Sequence, residues 1–448
     1  MIIEQHYDEE VLAEFLGEPG DAGTRDKHLA NCSLCQRTLA SLRTTAQTLT
    51  QPAVWDNTPL STAPRPETLA FLRGMQKSMA DEDALAAVWI KQLLAGPRET
   101  WAPRLAEHPQ WRTGGMVRRL LSTSEEAVSK VPEDALAMSA LAIQITEPSV
   151  ETNYASATMR RLAGLSYYQR AYAYWYTGCV MEALADYDSA DQILGTCMGA
   201  DLDRARVSLM RAMIYQMLER RDEALRLAEA AAVVFARYED RDRVAAARSV
   251  VAITLQEAQR QREALPIHAE VAAMRGISDR WRLSALHNLA LCHQAMGDFE
   301  ESTANLVKAI EGYEQIGMMT FRSKSRWALA DVFAQQGKHD EALALYLELR
   351  SEFTELGMWN DVALLSLDAA EVLVALGRMT EINELCRAAI RYFVANGLTQ
   401  TEPALRGLSY LQEAAAAGRA TPNAISGVRA FLLAPNSEPT LLFAQPPQ

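Results

Sequence analysis

The stretch that decides the fold is Asn288-Leu-Ala-Leu-Cys-His-Gln-Ala-Met-Gly-Asp-Phe-Glu-Glu301. A small residue, Ala290, is followed three residues later by the larger His293, and Gly297 then marks a turn. A small residue lets two helices approach closely, the larger one fills the gap one turn on, and glycine supplies a left-handed cap. The stretch therefore predicts a helix, a short turn and a second, longer helix.

The same pattern recurs six times, in steps of 41, 40, 38, 40 and 40 residues. The start of each second helix is marked by Glu182-Ala-Leu184 or its equivalents, which begin at Glu223, Glu263, Glu301, Glu341 and Glu381. Eleven residues before each landmark stands an alanine: Ala171, Ala212, Ala252, Ala290, Ala330 and Ala370. Four of the six turns contain a glycine: Gly178, Gly297, Gly337 and Gly377. Each helix pair leaves an apolar face that only its neighbours can cover, so the sequence predicts a solenoid.

This pattern resembles the tetratricopeptide repeat (TPR), most clearly at residues 288–301 and 329–343. The period is longer than the usual TPR period of about 34 residues. It is similar to the variant with extended helices found in bacterial regulatory solenoids. A degenerate first unit is expected at 113–147, where Pro132-Glu-Asp-Ala-Leu136 mimics the landmark. The predicted fold class is all-α: a small zinc-bound helical module followed by an α-solenoid of about six to seven helix-turn-helix repeats.

The N-terminal fifty residues carry a different signal, His28-x3-Cys32-x2-Cys35, with His6 upstream. A His and a Cys four residues apart share one helix face, and Cys-x2-Cys brings a second thiolate to the same ion. His6 is the only other His or Cys in this segment and completes the predicted tetrahedral set His6, His28, Cys32 and Cys35. Zinc is the metal that such a His2Cys2 site favours over iron. A metal-free Cys32–Cys35 disulfide and a plain helix with two thiols are the open alternatives.

These residues, with the segment Val11-Leu-Ala-Glu-Phe-Leu-Gly-Glu18, resemble the zinc-binding anti-sigma domain. The resemblance covers residues 1–80 and implies that this part binds an extracytoplasmic-function (ECF) sigma factor and blocks its access to core polymerase. A following helix wedges against the sigma factor in that family. An apolar stripe of Leu69, Leu72, Met75 and Met79 occupies the matching place. Packing of this stripe against the first repeat is the equal alternative. Many members continue into a transmembrane helix, whereas this chain continues into a repeat array, as in the family's soluble subset.

Composition restricts the class of protein. The chain has 448 residues, a net charge of −13 and six cysteines. Such an acidic balance argues against broad nucleic-acid binding, and so few cysteines argue against a disulfide scaffold. Since no stretch reaches the roughly 18–20 apolar residues that span a bilayer, and the N-terminus does not read as a secretory signal, a cytoplasmic protein without a membrane contact is predicted.

Proline-rich segments suggest the boundaries between domains. Pro and Thr are concentrated near residues 50–66, and four prolines fall after Ala434, where a loosely docked or disordered tail is expected. Helices are expected at 67–80 and 82–95, with an uncertain stretch around Trp101 and Trp111. The predicted parts are a zinc module (1–50), a linker (51–66), a helical connector (67–112), the solenoid (113–418) and a partly disordered tail (419–448).

No enzymatic motif is present: there is no phosphate-binding glycine loop, Gly-x-Ser-x-Gly or His-Glu-x-x-His. Gly114-Gly115 is interpreted as a turn that leads into a helix, and Asp81-Glu-Asp83 as a solvated acidic face. His268 and His293 are expected in the core. The protein is therefore predicted not to be an enzyme.

The predicted function is a soluble anti-sigma factor whose zinc module binds an ECF sigma factor and whose TPR groove binds a second protein or peptide. The densest aromatic cluster, Tyr167 to Tyr176, indicates either core packing or a ligand surface on the first helices of 165–215. One alternative is a TPR adaptor that assembles a protein complex, with a purely structural zinc module. A transcriptional co-regulator at DNA is less favoured, because long Lys/Arg clusters are absent. Neither the sigma factor, the TPR ligand, the inducing signal nor the oligomeric state follows from the sequence.

Overall fold

The computed structural model describes residues 12, 27–49, 66–147, 156–397 and 403–433. All regular elements in these ranges are helical, as the sequence predicts. The chain divides into two compact units, Met1–Asp81 and Glu82–Gln448. No helix in the described ranges combines the length and apolarity that crossing a membrane requires.

The first unit contains α1 (Lys27–Asn31), α2 (Ser33–Leu49) and the first part of α3 (Pro66–Leu93). The two helices expected at 67–80 and 82–95 are thus one helix. The acidic run at Asp81 contains no Gly or Pro, so nothing interrupts helical hydrogen bonding there. The predicted linker lies outside the described residues except for Pro66, which starts α3, where proline is favoured.

The second unit begins with a capping layer at the first end of the array. It consists of the last part of α3, α4 (Trp101–Glu107), α5 (Gly114–Ala127) and α6 (Pro132–Thr146). Trp101 and Trp111, from the stretch that was uncertain in the sequence, both lie in its core. Gly114 starts α5, so the helix-leading interpretation of Gly114-Gly115 is confirmed.

The acidic run Asp81-Glu-Asp83 forms a solvated face only in part, because two of its carboxylates pair with another helix. The Arg118 guanidinium forms ion pairs with Glu82 at 3.0 Å and Asp83 at 2.7 Å. The Glu82 carboxylate also accepts from the Gly115 N–H at 3.0 Å. A carboxylate at a helix N-terminus is stabilised by the unpaired N–H groups there, so these two residues fix the start of α5.

Six helix pairs follow. The first helices of the pairs are α7 (Ser156–Tyr176), α9 (Asp201–Met217), α11 (Arg241–Glu257), α13 (Asp279–Met296), α15 (Met319–Gln335) and α17 (Trp359–Ala375). The second helices are α8 (Val180–Gly195), α10 (Arg221–Arg237), α12 (Gln261–Ala273), α14 (Phe299–Gln315), α16 (His339–Glu355) and α18 (Met379–Ala395). Consecutive helices pack against each other, and first helices of neighbouring pairs also contact each other, so they form one continuous first-helix face.

The long period has a simple structural origin. Most helices of the array have 17 residues, and three-residue turns join them. Two such helices with their turns account for 40 residues. The 38-residue step contains the shorter α12, with 13 residues, a five-residue turn, the 18-residue α13 and a two-residue turn. The landmark alanines are the tightest points, since Ala171, Ala212, Ala252, Ala290, Ala330 and Ala370 are all 0% exposed.

Turns within a pair and between pairs use the same device, one left-handed residue. Besides the glycines within pairs, Gly317, Gly357 and Gly397 after the second helices have positive φ. Where no glycine is present, Glu219, Glu239 and Gln259 adopt φ of 58°, 56° and 60°. The following N–H then donates to the carbonyl five residues back, as from Lys338 to Phe333 at 2.9 Å, which completes a Schellman cap.

The C-terminal end extends further than predicted. α19 (Pro403–Ala416) is followed by α20 (Pro422–Leu433), a helix inside the segment 419–448 that was expected to be tail. Ile425 and Val428 of α20 are buried, and Arg429 pairs with Asp368 at 2.8 Å and with Glu371 at 2.9 Å. The sequence analysis missed α20 because it carries none of the repeat landmarks. Residues 434–448 lie outside the described residues.

The left-handed turn residues give a stability prediction. A non-glycine residue in this conformation costs about 1–2 kcal/mol, and glycine loses about 0.5–1 kcal/mol of backbone entropy instead. We expect Glu239→Gly to raise the free energy of unfolding by about 0.5–1 kcal/mol. Gly337→Ala is the matched opposite, because an added Cβ would meet nothing within 4 Å and only the backbone conformation would change. Chemical unfolding followed by circular dichroism measures both variants. If the two substitutions change the free energy of unfolding in the same direction, this account of the turns is wrong.

Candidate functional site

The N-terminal motif brings three possible metal ligands together. His28 lies on α1, Cys32 between α1 and α2, and Cys35 in the first turn of α2. The ligand atoms of His28, Cys32 and Cys35 all lie within 4.8 Å of one another, and His28 Nε2 is 3.3 Å from Cys35 Sγ. His6, the predicted fourth ligand, lies outside the described residues.

The local backbone explains why these side chains converge. The Cys32 N–H donates to the His28 carbonyl at 2.8 Å and the Gln36 N–H donates to the Cys32 carbonyl at 3.0 Å, so helical pairing continues through Cys32. The Gln36 side-chain amide donates to the Leu29 carbonyl at 2.7 Å and the Ala30 carbonyl at 3.1 Å. These two hydrogen bonds tie the Gln36 side chain of α2 to the end of α1. Gln36 is therefore a positioning residue, and the sequence analysis did not find it.

The surroundings of the cluster are small and apolar. Both cysteines are buried, at 6% and 2% exposure, with Leu12, Leu29 and Leu39. In the described part of this unit the core contains three leucines, and small units usually need a metal or a disulfide to fold securely. A thiolate pair in such a core needs a cation to compensate its charge.

The donor set and its spacing fit zinc. Two sulfurs and one imidazole nitrogen are ligands that tetrahedral zinc takes, with bonds of about 2.3 and 2.0–2.1 Å. Tetrahedral angles would place a nitrogen and a sulfur ligand about 3.6 Å apart, close to the observed 3.3 Å between His28 and Cys35.

The second candidate site lies on the first-helix face. An open cavity of about 460 Å³ is lined by five aromatic side chains, which come from the predicted aromatic cluster and from α13. They are Tyr168, Tyr172, Trp175, Tyr176 and Trp281. Tyr176 is 50% exposed, whereas Tyr168 and Tyr172 also pack against the core. The aromatic cluster therefore packs partly into the core, and part of it lines an open cavity.

Three arginines from successive first helices line the same cavity: Arg206, Arg243 and Arg280. The Arg206 guanidinium lies 5.1 Å from the Tyr168 ring centroid, and that of Arg280 lies 5.3 Å from the Trp281 ring. No Asp or Glu of the described residues lines this cavity. We call it the aromatic–arginine groove, defined by its five aromatic residues and three arginines.

Sequence periodicity could have revealed this groove. Counted from the landmark alanine of each repeat, Tyr168 and Leu209 occupy position −3, and Tyr172 and Met213 occupy position +1. Arg243 and Trp281 share position −9 in the same way. Positions −3 and +1 are four residues apart and so fall on one helix face, and aligning the repeats brings the residues at these two positions together.

Histidines lie in or near the core on the consecutive helices α12 and α13. His268 is 0% exposed, which confirms the predicted core position, and neither of its ring nitrogens has a hydrogen-bond partner among the described residues. Burial, aided by the nearby His287, lowers the pKa of His268 to about 4. His293 is only partly buried, and its Nδ1 lies 3.5 Å from the Asp298 carboxylate.

The metal prediction tests the N-terminal cluster directly. We expect the protein to bind one zinc ion per chain, and Cys32→Ser to lower zinc affinity by at least about 100-fold because it removes a thiolate ligand. Gln36→Ala should lower the affinity by about tenfold, as is usual for residues that position ligands. Competition with a zinc chelator measures both.

Arg37→Ala is the matched control for Gln36→Ala, because Arg37 is the exposed neighbour whose side chain bonds only within α2, to the Ser33 carbonyl. Cys179→Ser/Cys197→Ser removes two thiols of the array and should leave zinc binding intact. If substitution of Cys179 and Cys197 lowered zinc affinity as much as substitution of Cys32 and Cys35, the assigned zinc site would be wrong.

The buried histidine gives a pH prediction. Because the folded-state pKa of His268 lies below the ordinary value of 6.5, the unfolded chain takes up more protons between these values, and stability falls as the pH drops through 6.5. Lowering the pH from about 7.5 to about 5.8 should therefore reduce the free energy of unfolding by about 1 kcal/mol through His268.

The comparison is the difference in unfolding free energy between wild type and His268→Leu, measured with urea at both pH values. Buried acids such as Asp331, whose pKa burial raises to about 7, change stability in the opposite sense, but they are common to both proteins. If this difference in unfolding free energy is the same at both pH values, the pKa of His268 does not change on folding and the prediction is wrong.

Comparisons with known proteins support the array. A family model for the tetratricopeptide repeat matches residues 281–351, which span α13 to α16. No curated protein matches the chain.

Several solved structures are similar over long stretches. Aspartyl phosphate phosphatase F from Bacillus subtilis is 11% identical, with a TM-score of 0.49, over 83% of this chain and 96% of that one. The quorum sensor NprR from B. thuringiensis is 13% identical, with a TM-score of 0.47, over 72% of this chain and 99% of that one. A signal transduction ATPase with numerous domains from Pyrococcus horikoshii has a TPR sensor. It is 14% identical, with a TM-score of 0.48, over 71% of this chain and 51% of that one. The family match identifies tetratricopeptide repeats at residues 281–351, within a longer array of TPR-like helix pairs.

Proposed function

We propose that this protein is a zinc-binding anti-sigma factor with a TPR array as its sensing or interaction part. The observation that carries the proposal is the convergence of His28, Cys32 and Cys35 within 4.8 Å, in a segment that resembles the zinc-binding anti-sigma domain. In this proposal the N-terminal part binds an ECF sigma factor in the cytoplasm, and the array binds a second protein or peptide. The protein acts by binding and does not catalyse a reaction.

Zinc would be held by His28, Cys32 and Cys35, with His6 as the fourth ligand. Bound there, it would supply a structural crosslink between α1 and α2 and neutralise the two thiolates. Gln36 holds the end of α1 against α2, so the imidazole faces the sulfurs before the ion binds.

The part of α3 that belongs to the first unit supports a protein partner for that unit. Met79 on this part is 46% exposed. An exposed apolar side chain on an amphipathic helix is typical of partner surfaces. Leu69 is partly buried, and the side chains of Leu72 and Met75 lie outside the described residues.

The alternative function is a TPR adaptor in which the zinc module is only structural. The aromatic–arginine groove favours this alternative, because it offers a ligand surface that is independent of the N-terminal unit. The two functions differ in what loss of the metal does to partner binding.

The test of the proposed function is co-purification from the native host, with mass spectrometry of the bound proteins. We expect wild type to retain an ECF sigma factor, and Cys32→Ser/Cys35→Ser to lose it, because the module cannot fold without its crosslink. Purified sigma factor should then bind wild type and the matched Cys179→Ser/Cys197→Ser control with equal affinity. If the Cys32→Ser/Cys35→Ser variant and wild type retain the same partners, and no sigma factor is among them, the protein is an adaptor.

A further inference from the structure

We propose that the aromatic–arginine groove binds a peptide segment of a partner protein that carries carboxylates next to an aromatic or large aliphatic side chain. This inference rests on the proposed role of the array as the part that receives a second ligand, and it adds the location and chemistry of that ligand.

The openness of the groove favours a chain segment over a small metabolite. Its lining comes from the four first helices α7, α9, α11 and α13, and the cavity is open to solvent. Small-molecule sites bury most of the surface of their ligand, whereas a chain segment can lie across an open groove and continue beyond it.

The charges of the groove select for carboxylates. Arg280 is exposed and forms no ion pair with any described carboxylate. Arg206 lies 4.0 Å from Asp203, whose carboxylate is already paired with Arg161 at 2.7 Å. Arg243 pairs with Asp240 at the start of α11. At least one guanidinium is thus available for a ligand, on the surface of a protein whose net charge is −13.

The apolar lining selects for large side chains beside those carboxylates. Met210 and Met213 of α9 lie in the same cavity as Tyr176 and Trp281. Methionine adapts its shape to varied partners, and tyrosine and tryptophan supply large contact areas with little entropy loss. A ligand with both acidic and large apolar residues would use the two kinds of lining together.

Aromatic rings with arginines also suit single-stranded nucleic acid, which is the competing occupant. A nucleic acid carries a phosphate at every nucleotide and needs a continuous basic track. Here Glu125 lies near Tyr172, and Asp242 and Asp279 lie beside the groove arginines at the starts of α11 and α13. These carboxylates would repel a polyanion, whereas a peptide can place its few carboxylates at the arginines alone.

The experiment selects random dodecapeptides from a display library on the immobilised full-length protein, after depletion on the Arg280→Glu variant. We expect selected peptides to be enriched in Asp or Glu next to Trp, Phe or Leu. A fluorescein-labelled copy of the dominant peptide should lose roughly tenfold or more in affinity with Arg280→Glu or Tyr176→Ser by fluorescence anisotropy, because each change removes one kind of contact. Both residues are exposed, so circular dichroism should show unchanged folding.

Arg262→Glu is the matched control, since it reverses the charge of an exposed arginine on the second helix α12, and it should leave the affinity unchanged. Selected peptides without acidic enrichment, or equal affinity for wild type and Arg280→Glu, would overturn the proposal. Binding of a single-stranded oligouridylate that depends on Arg280 and Tyr176 would instead assign the groove to nucleic acid. The Cys32→Ser/Cys35→Ser variant should bind the peptide normally, so this test and the sigma-factor test can fail separately.

Discussion

The constraint on which the array depends is a chain reversal about every twenty residues, through a single left-handed residue. Because each reversal has the same geometry, equivalent positions of consecutive repeats fall on the same face of neighbouring helices. The alanine crossings are one result: six alanines at equivalent positions are completely buried. The aromatic–arginine groove is another, since four pairs of its lining residues share a repeat position on different first helices. The core and much of the groove thus follow from one periodicity.

The same constraint explains which parts of the fold could be predicted. The alanine and Glu-Ala-Leu landmarks located the helix pairs because small residues are required where helices cross closely. The turns were harder to recognise, because a left-handed residue need not be glycine. Glu219, Glu239 and Gln259 adopt this conformation at a cost of about 1–2 kcal/mol each, which a well-packed helix pair tolerates. The terminal helix α20 lacks the landmarks altogether and docks through Arg429 and an apolar face.

For the N-terminal site, sequence spacing went further than it did for the fold. His-x3-Cys-x2-Cys determines its own geometry, since helical spacing brings His28 and Cys32 together and a two-residue interval brings Cys35 to them. The contribution of Gln36 is not visible in any spacing rule, because its side chain bonds to backbone carbonyls of another helix. The convergence of side chains within a local motif can be predicted, whereas the residues that orient them depend on how separate helices meet.

The two units therefore gain their stability in different ways, and this difference suits the proposed regulation. The array distributes its stability over many helix crossings, so that loss of a ligand leaves its fold intact. The described part of the N-terminal unit has a core of three leucines around two cysteines, so in the proposed function its fold would depend on a single metal crosslink. Oxidation of a thiol or loss of the metal would remove that crosslink and with it the partner surface, while the array stays folded. Such a protein can release one partner without releasing the other, which is a useful property for a regulator with two binding parts.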